Sequence, residues 1–174
     1  MRWRRASNRS GDARQGDVVA ICRFGEAHIR PHYAPLIGTA AADEQVRRWW
    51  NKTHVDAAVA GGLVVIEETD GQVVGVGQRG RRGANHVVYK LYLHPRHRGR
   101  RLGPRLLDVL IGQLPADAER LYIEHFVGNE RAGAFYEREG FTVERIESSP
   151  TGDPALGVVW RARPLAAGGQ EFRR

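Results

Sequence analysis

The stretch Leu91-Tyr92-Leu93-His94-Pro95-Arg96-His97-Arg98-Gly99-Arg100-Arg101-Leu102-Gly103 holds the residues best suited to chemistry. It passes from a β-branched and aromatic run, through a basic loop with glycine, into an apolar periodic segment. A loop feeding a helix leaves the first helical N–H groups without partners inside the helix, and the helix dipole adds partial positive charge there. A diphosphate accepts those hydrogen bonds. Glycine lets the backbone approach the ligand, and arginine adds charge and paired donors. The same residues also suit an ordinary solvated loop, so the stretch alone leaves both readings open. Its charge is focused. The chain carries a net +7, of which residues 1–16 supply +4 and residues 165–174 supply +1. The body between is +2, yet residues 96–105 within it hold five arginines and no acid, so the rest of the body is −3. One concentrated basic loop suits one anionic ligand better than a long polyanion.

A second group follows at fixed spacing: Leu121-Tyr122-Ile123-Glu124-His125-Phe126, then Asn129 to Tyr136, then Gly140-Phe141. Together the two groups resemble the GCN5-related N-acetyltransferase superfamily, whose acetyl-coenzyme A signature is Arg/Gln-x-x-Gly-x-Gly/Ala. Here that signature reads Arg98-Gly99-Arg100-Arg101-Leu102-Gly103. Arg101 stands where the family usually has glycine. The expectation is that Arg101 takes ordinary helical dihedrals and adds a phosphate contact, with Gly99 supplying the flexibility. The resemblance spans about residues 18–162, and its specific part is 87–141.

The resemblance implies an acetyl group moved from acetyl-CoA to a primary amine by direct attack through a tetrahedral oxyanion. It assigns Leu91, Tyr92 and Leu93 to the coenzyme-binding strand, with the oxyanion donor on the backbone near Leu93. It places Asn129 on the pantetheine arm and makes Tyr136 the general acid toward the leaving thiolate. A phenol near pKa 10 donates to a thiolate near 8.5 with little penalty, as model values of about those sizes show. Glu124 sits where some members carry the base. Each residue also has a plainer role. Tyr136 lies at helical spacing with Ala132 and Phe135, as a core residue would; Asn129 suits a helix N-cap; Glu124 suits an exposed strand carboxylate. His125, His86, His94, Glu67 and Glu68 are further base candidates. Trp49, Trp50 and the tyrosines suit an acceptor pocket or, by default, the core. The seven histidines have no metal-ligand spacing, so no metal is expected.

The elements that must position these groups follow from pattern. Residues 1–16 are rich in Arg, Ser, Asn and Gly and read as a disordered basic tail. Val18 to Cys22 reads as a first strand, and residues 26–37 and 43–60 as two helices, the second anchored by Trp49 and Trp50 and ended by Gly61-Gly62. Leu63 to Glu67 and Val73 to Gly77 form strands joined at Asp70-Gly71, a hairpin signal. Residues 79–84 read as an exposed loop, and Val87 to Leu93 as the clearest strand. Leu102, Leu106, Leu107, Leu110, Ile111 and Leu114 make one helical stripe, with Pro104 in the first turn and Pro115 beyond the end. A strand over Leu121 to Phe126, a helix from Asn129 to about Arg138, and strands from Phe141 and over Val158 to Ala162 complete the order βααβββαβαββ.

The unit 87–126 implies a right-handed parallel crossover and the hairpin implies antiparallel pairing. The fold class is α/β (α+β): a mixed, mostly antiparallel sheet with a parallel central strand pair and helices on both faces. The expected domain is 17–164, with 165–174 a C-terminal tail. The apolar runs are too short for a membrane span, and no signal-peptide segment follows Arg4-Arg5. One cysteine, Cys22, excludes an intrachain disulfide framework. The expected setting is cytoplasmic. The expected partner is a small-molecule or protein amine, weakly a cationic one, with a homodimer also considered. An aminoacyl-tRNA or other RNA-associated acetyltransferase, and a non-catalytic acyl-CoA-binding module, remain as alternatives.

Overall fold

A computed structural model describes residues 8–166. The strands are β1 (Asn8–Asp12), β2 (Val64–Thr69), β3 (Gln72–Arg82), β4 (Asn85–Leu93), β5 (Arg120–Phe126), β6 (Thr142–Glu147) and β7 (Val158–Pro164). The helices are α1 (Val18–Ile37), α2 (Thr39–Trp49), α3 (Lys52–Ala60), α4 (Leu102–Gly112) and α5 (Glu130–Arg138). The strands form one mixed sheet in the order β1-β2-β3-β4-β5-β7-β6. β4 and β5 run parallel; β1 with β2, β2 with β3, β5 with β7 and β6 with β7 run antiparallel. The chain divides into two compact units. One comprises the residues through Arg79 together with Lys90–Leu110; the other comprises Gly80–Tyr89 and the residues from Ile111 on.

In the first unit the expected opening strand is instead the start of a helix. Val18, Ile21 and Phe24 are buried at three-residue steps and Gly25, Ile29, Tyr33 and Ile37 at four-residue steps, so the short run Val18 to Cys22 opens α1. A five-residue apolar run fits either element, and here the longer helical period wins. The expected helix over 43–60 is two helices. Asn51 divides them: its Oδ1 accepts the His54 N–H at 2.9 Å and its Nδ2 donates to the Arg47 and Arg48 carbonyls, capping α3 while closing α2. Within the expected basic tail, Asn8–Asp12 is a strand and not disordered chain. β1 pairs with β2, and Arg9 reaches Asp17 at 2.8 Å and Glu68 at 3.1 Å. Residues 1–7 and 167–174, also expected to be tails, lie outside the described residues.

The hairpin between β2 and β3 turns at Asp70 and Gly71, with φ of 52° and 77°, as its sequence signal requires. Helices cover both faces of this part of the sheet. α4 presents Leu106 and Leu110 to Gly75 and Gly77 of β3, while His54 of α3 meets Gln78 on the alternate face.

In the second unit, the expected loop 79–84 is mostly strand. β3 continues to Arg82, and the Tyr89 hydroxyl donates to the Arg81 carbonyl at 3.1 Å. β4 and β5 align as His86↔Leu121, Val87↔Tyr122 and Val88↔Ile123. Alternation along β5 buries Leu121, Ile123 and His125. α5 covers that face with Tyr136, which packs with Phe141. Each fully buried large apolar side chain here contributes roughly 1.5–3 kcal/mol. Among the described residues no helix is long and apolar enough to cross a membrane.

Candidate active site

In the first unit, Leu91, Tyr92 and Leu93 end β4 and are each half-buried. The chain then makes a short 3-10 turn at Pro95–His97, where His94 Nδ1 accepts the Arg96 N–H at 3.1 Å. Gly99 and Arg101 both have left-handed backbones, at φ 76° and 60°. This corrects the expectation for Arg101: it does not take helical dihedrals. The position demands the glycine-like conformation that the family signature implies, and an L side chain there costs roughly 1–2 kcal/mol. α4 begins next, and its first intrahelical bond runs from the Arg105 N–H to the Arg101 carbonyl at 3.3 Å. The Leu102 and Gly103 amides precede that bond, and Pro104 has no N–H to offer. Arg100 and Arg101 are exposed, Arg98 is half-buried, and Gly103 is buried against the core. Arginine side chains, left-handed backbone and helix-leading amides thus meet at one tip, which is the donor set a diphosphate takes.

The same unit holds two ionic features that sequence pattern did not disclose. Glu67 is 1% exposed and receives the Arg105 guanidinium, with Nε 2.7 Å from Oε1 and Nη2 on Oε2. Its carboxylate is thereby committed, which removes Glu67 as a base. Glu68 is paired with Arg9. Lys90, on β4, is 6% exposed, and burial pushes its pKa down to about 7. Its ammonium lies 2.6 Å from the Trp49 carbonyl and from Gln78 Oε1, and 4.8 Å above the Trp50 ring. Trp50 is core, against Phe24 and Tyr92, whereas Trp49 is 43% exposed. α1 also meets the end of β4 and the residue after it: Tyr33 contacts Tyr92 through their hydroxyls, and His28 packs on His94. Burial lowers the pKa of both His28 and His94.

In the second unit, Glu124 is half-buried on β5, opposite Trp160 of β7. Burial raises its pKa; Arg82, whose Nη1 is 4.0 Å from Oε2, opposes the rise and Glu147 adds to it. The guanidinium groups of Arg82 and Arg145 lie over the Trp160 ring at 4.7 and 4.5 Å. His125, on the other face, is committed: Nε2 accepts from Arg161 Nε at 3.1 Å and Nδ1 faces the Phe126 carbonyl at 2.9 Å. That assigns a neutral ring, in line with the lowering that burial imposes on its pKa. Asn129 is buried and caps α5, its Oδ1 accepting the Ala132 N–H at 3.3 Å. Tyr136 is 7% exposed, with ring centroids 5.2 Å from Phe135, 5.7 Å from Phe141 and 6.2 Å from His125. Its ring packs as a core residue would. Among the described residues no group of three His, Cys, Asp or Glu is placed to hold a metal.

Comparison with known proteins bears on these features. The sequence profile of the acetyltransferase (GNAT) family matches residues 23–141. No curated protein sequence matches the chain. Among solved structures, the chain is similar to PaiA N-acetyltransferase from Thermoplasma acidophilum in complex with coenzyme A, with TM-score 0.74 and 13% identity, covering 91% of this chain and 99% of that one. It is similar to a GCN5-related N-acetyltransferase from Rhodopseudomonas palustris, with TM-score 0.73, 20% identity and coverage of 95% and 99%. It is also similar to the ribosomal-protein-S18-alanine N-acetyltransferase from Escherichia coli, with TM-score 0.61, 21% identity and coverage of 97% and 100%.

Proposed function

The chain belongs to the acetyltransferase (GNAT) family, an acetyl-CoA-dependent N-acetyltransferase by that membership, and from this premise we propose how its residues act and what they act on. The acceptor is a primary amine. The observation that carries the reading is the tip at Gly99 and Arg101, where two left-handed residues lead into the Leu102 and Gly103 amides. Those amides, with Arg98, Arg100 and Arg101, hold the diphosphate of the coenzyme, and Leu91, Tyr92 and Leu93 serve its pantetheine arm, to which the family resemblance also assigns Asn129. The bound thioester supplies an activated acetyl carbonyl. The Leu93 backbone N–H donates to that carbonyl oxygen, which is worth most where charge develops. Glu124 takes a proton from the acceptor's ammonium, a role its raised pKa suits, and the neutral amine so formed attacks the carbonyl carbon; collapse of the tetrahedral oxyanion breaks the C–S bond. Tyr136 gives its phenolic proton to the departing thiolate.

Since the body outside the basic loop is −3, a cationic amine is favoured. Polyamines, aminoglycosides, lysine side chains and protein N-termini are the acceptors to try, and the E. coli neighbour, a ribosomal-protein-S18-alanine N-acetyltransferase, supports including a protein substrate. The test is calorimetry with acetyl-CoA followed by an amine panel drawn from those four classes, scored by thiol release. Binding followed by turnover on one class is expected. Failure to bind acetyl-CoA defeats the reading, and binding without turnover on any class favours an acyl-CoA-binding module instead.

A further inference from the structure

Both ends of the 94–101 loop are fastened to one irregular point of the sheet. The β2/β3 register passes from Glu67↔Gly75 to Glu68↔Val73, so Val74 is the extra residue of a bulge. The Val74 carbonyl accepts the N–H of His94, the first residue after β4, at 2.8 Å. From the other end, Arg105 in the first turn of α4 reaches back to Glu67 with a two-pronged grip. Between them lies Gly75. A Cβ there would sit 2.8 Å from Leu93, 2.9 Å from Leu106 and 3.2 Å from the Glu67 Cβ, so the strand before the loop, the helix after it and the buried carboxylate converge on a residue with no side chain.

From this convergence we infer that Glu67 and Arg105 are positioning residues for the phosphate end of the coenzyme, an inference that rests on the transferase reading above. Only the carboxylate of this pair is buried, at 2% side-chain exposure against 47% for Arg105, and the desolvation of a buried charge offsets much of the attraction, so the pair is a poor device for stability. A guanidinium–carboxylate fork is instead directional, fixing both distance and plane. Here it fixes where α4 starts relative to the bulge, and therefore where Arg101 to Gly103 present their donors. Glu67 is buried and holds the Arg105 guanidinium through Nε and Nη2, so the pair acts through the loop and not on the ligand.

The test compares Glu67→Gln and Arg105→Lys with wild type, using two probes: coenzyme A by calorimetry, and pantetheine, which lacks the diphosphate, by NMR titration. Each variant is expected to weaken coenzyme A binding about tenfold, or 1.4 kcal/mol, and to leave pantetheine affinity within about twofold. Glu67→Met with Arg105→Met keeps volume and removes both charges. It is expected to melt no lower than wild type and still to bind coenzyme A more weakly, which guards against loss of folding in the single variants. Coenzyme A affinity unchanged in all three, or a loss shared equally by pantetheine, overturns the inference. Wild type that binds pantetheine but not coenzyme A overturns the transferase reading, and this inference with it.

Discussion

The Lys90 ammonium nitrogen lies 2.6 Å from the Trp49 carbonyl oxygen, so a buried cation from β4 holds the C-terminal end of α2. The helix dipole favours a cation there, and Gln78 and the Trp50 ring complete its surroundings. Burial nevertheless dominates, lowering the pKa from 10.5 to about 7. A folded-state pKa below the unfolded one means that the unfolded chain binds more protons between those two values. The penalty is therefore complete below pH 7 and is relieved as pH rises toward 10. At about 1.36 kcal/mol per pKa unit, the relief is on the order of 4 kcal/mol. Urea unfolding at pH 6.5 and 9.5 should show stability rising in wild type and nearly flat in Lys90→Met. Parallel curves for the two proteins would show that Lys90 is not the group responsible.

Arg101 with φ of 60° predicts a stabilising substitution. Arg101→Gly removes the clash between Cβ and carbonyl that L residues suffer there, with a partial offset from the freer unfolded chain. The net gain is about 1 kcal/mol, read as a higher midpoint in thermal or urea unfolding. The same variant loses one charge at the tip, so its coenzyme A affinity should fall more steeply at low salt than at high salt. A lower midpoint would mean that the Arg101 side chain contributes contacts outweighing its backbone strain.

Tyr136→Phe separates the two roles that burial leaves together. Phenylalanine preserves the packing against Phe135, Phe141 and His125, so the melting temperature should hold. Loss of the phenolic proton should lower kcat by roughly a hundredfold, the lower end for general acid catalysis. Coenzyme A affinity by calorimetry should stay within about twofold. Turnover equal to wild type would leave Tyr136 as core alone.

What was legible in the sequence was what local pattern controls. The alternation of Val87 to Leu93, the leucine stripe of α4 and the Asn129 to Tyr136 spacing each carry their own period, and each became the expected element. Two misreadings came from segments whose structure is decided at a distance. Asn8–Asp12 has no apolar residue, yet it is a strand because β2 offers it an edge and Arg9 finds Asp17 and Glu68. Val18 to Cys22 is too short to declare a period, and only Phe24 through Ile37 reveals the helix. The Glu67–Arg105 and Lys90–Trp49 contacts join residues 38 and 41 apart in sequence, which no motif encodes. Arg101 is the reverse case: the signature marked the position, but only the backbone angle shows that the arginine conforms to it.

Glu124 and Arg82 give the pH test of the base. Burial raises the Glu124 pKa, and the Arg82 guanidinium 4.0 Å away is the nearest charge that opposes the rise. A carboxylate base works only when ionised, so turnover should fall as pH drops through its raised pKa. Removing the positive charge with Arg82→Gln should raise that pKa further and move the acid limb of the pH–rate profile toward higher pH. Glu124→Gln should abolish the limb and cut turnover at pH 8 by about a hundredfold. The two variants constrain each other, because a shift in Arg82→Gln has meaning only if the limb disappears in Glu124→Gln. A limb that survives in Glu124→Gln assigns proton removal elsewhere, and His28 beside His94, both with lowered pKa values, becomes the pair to mutate next.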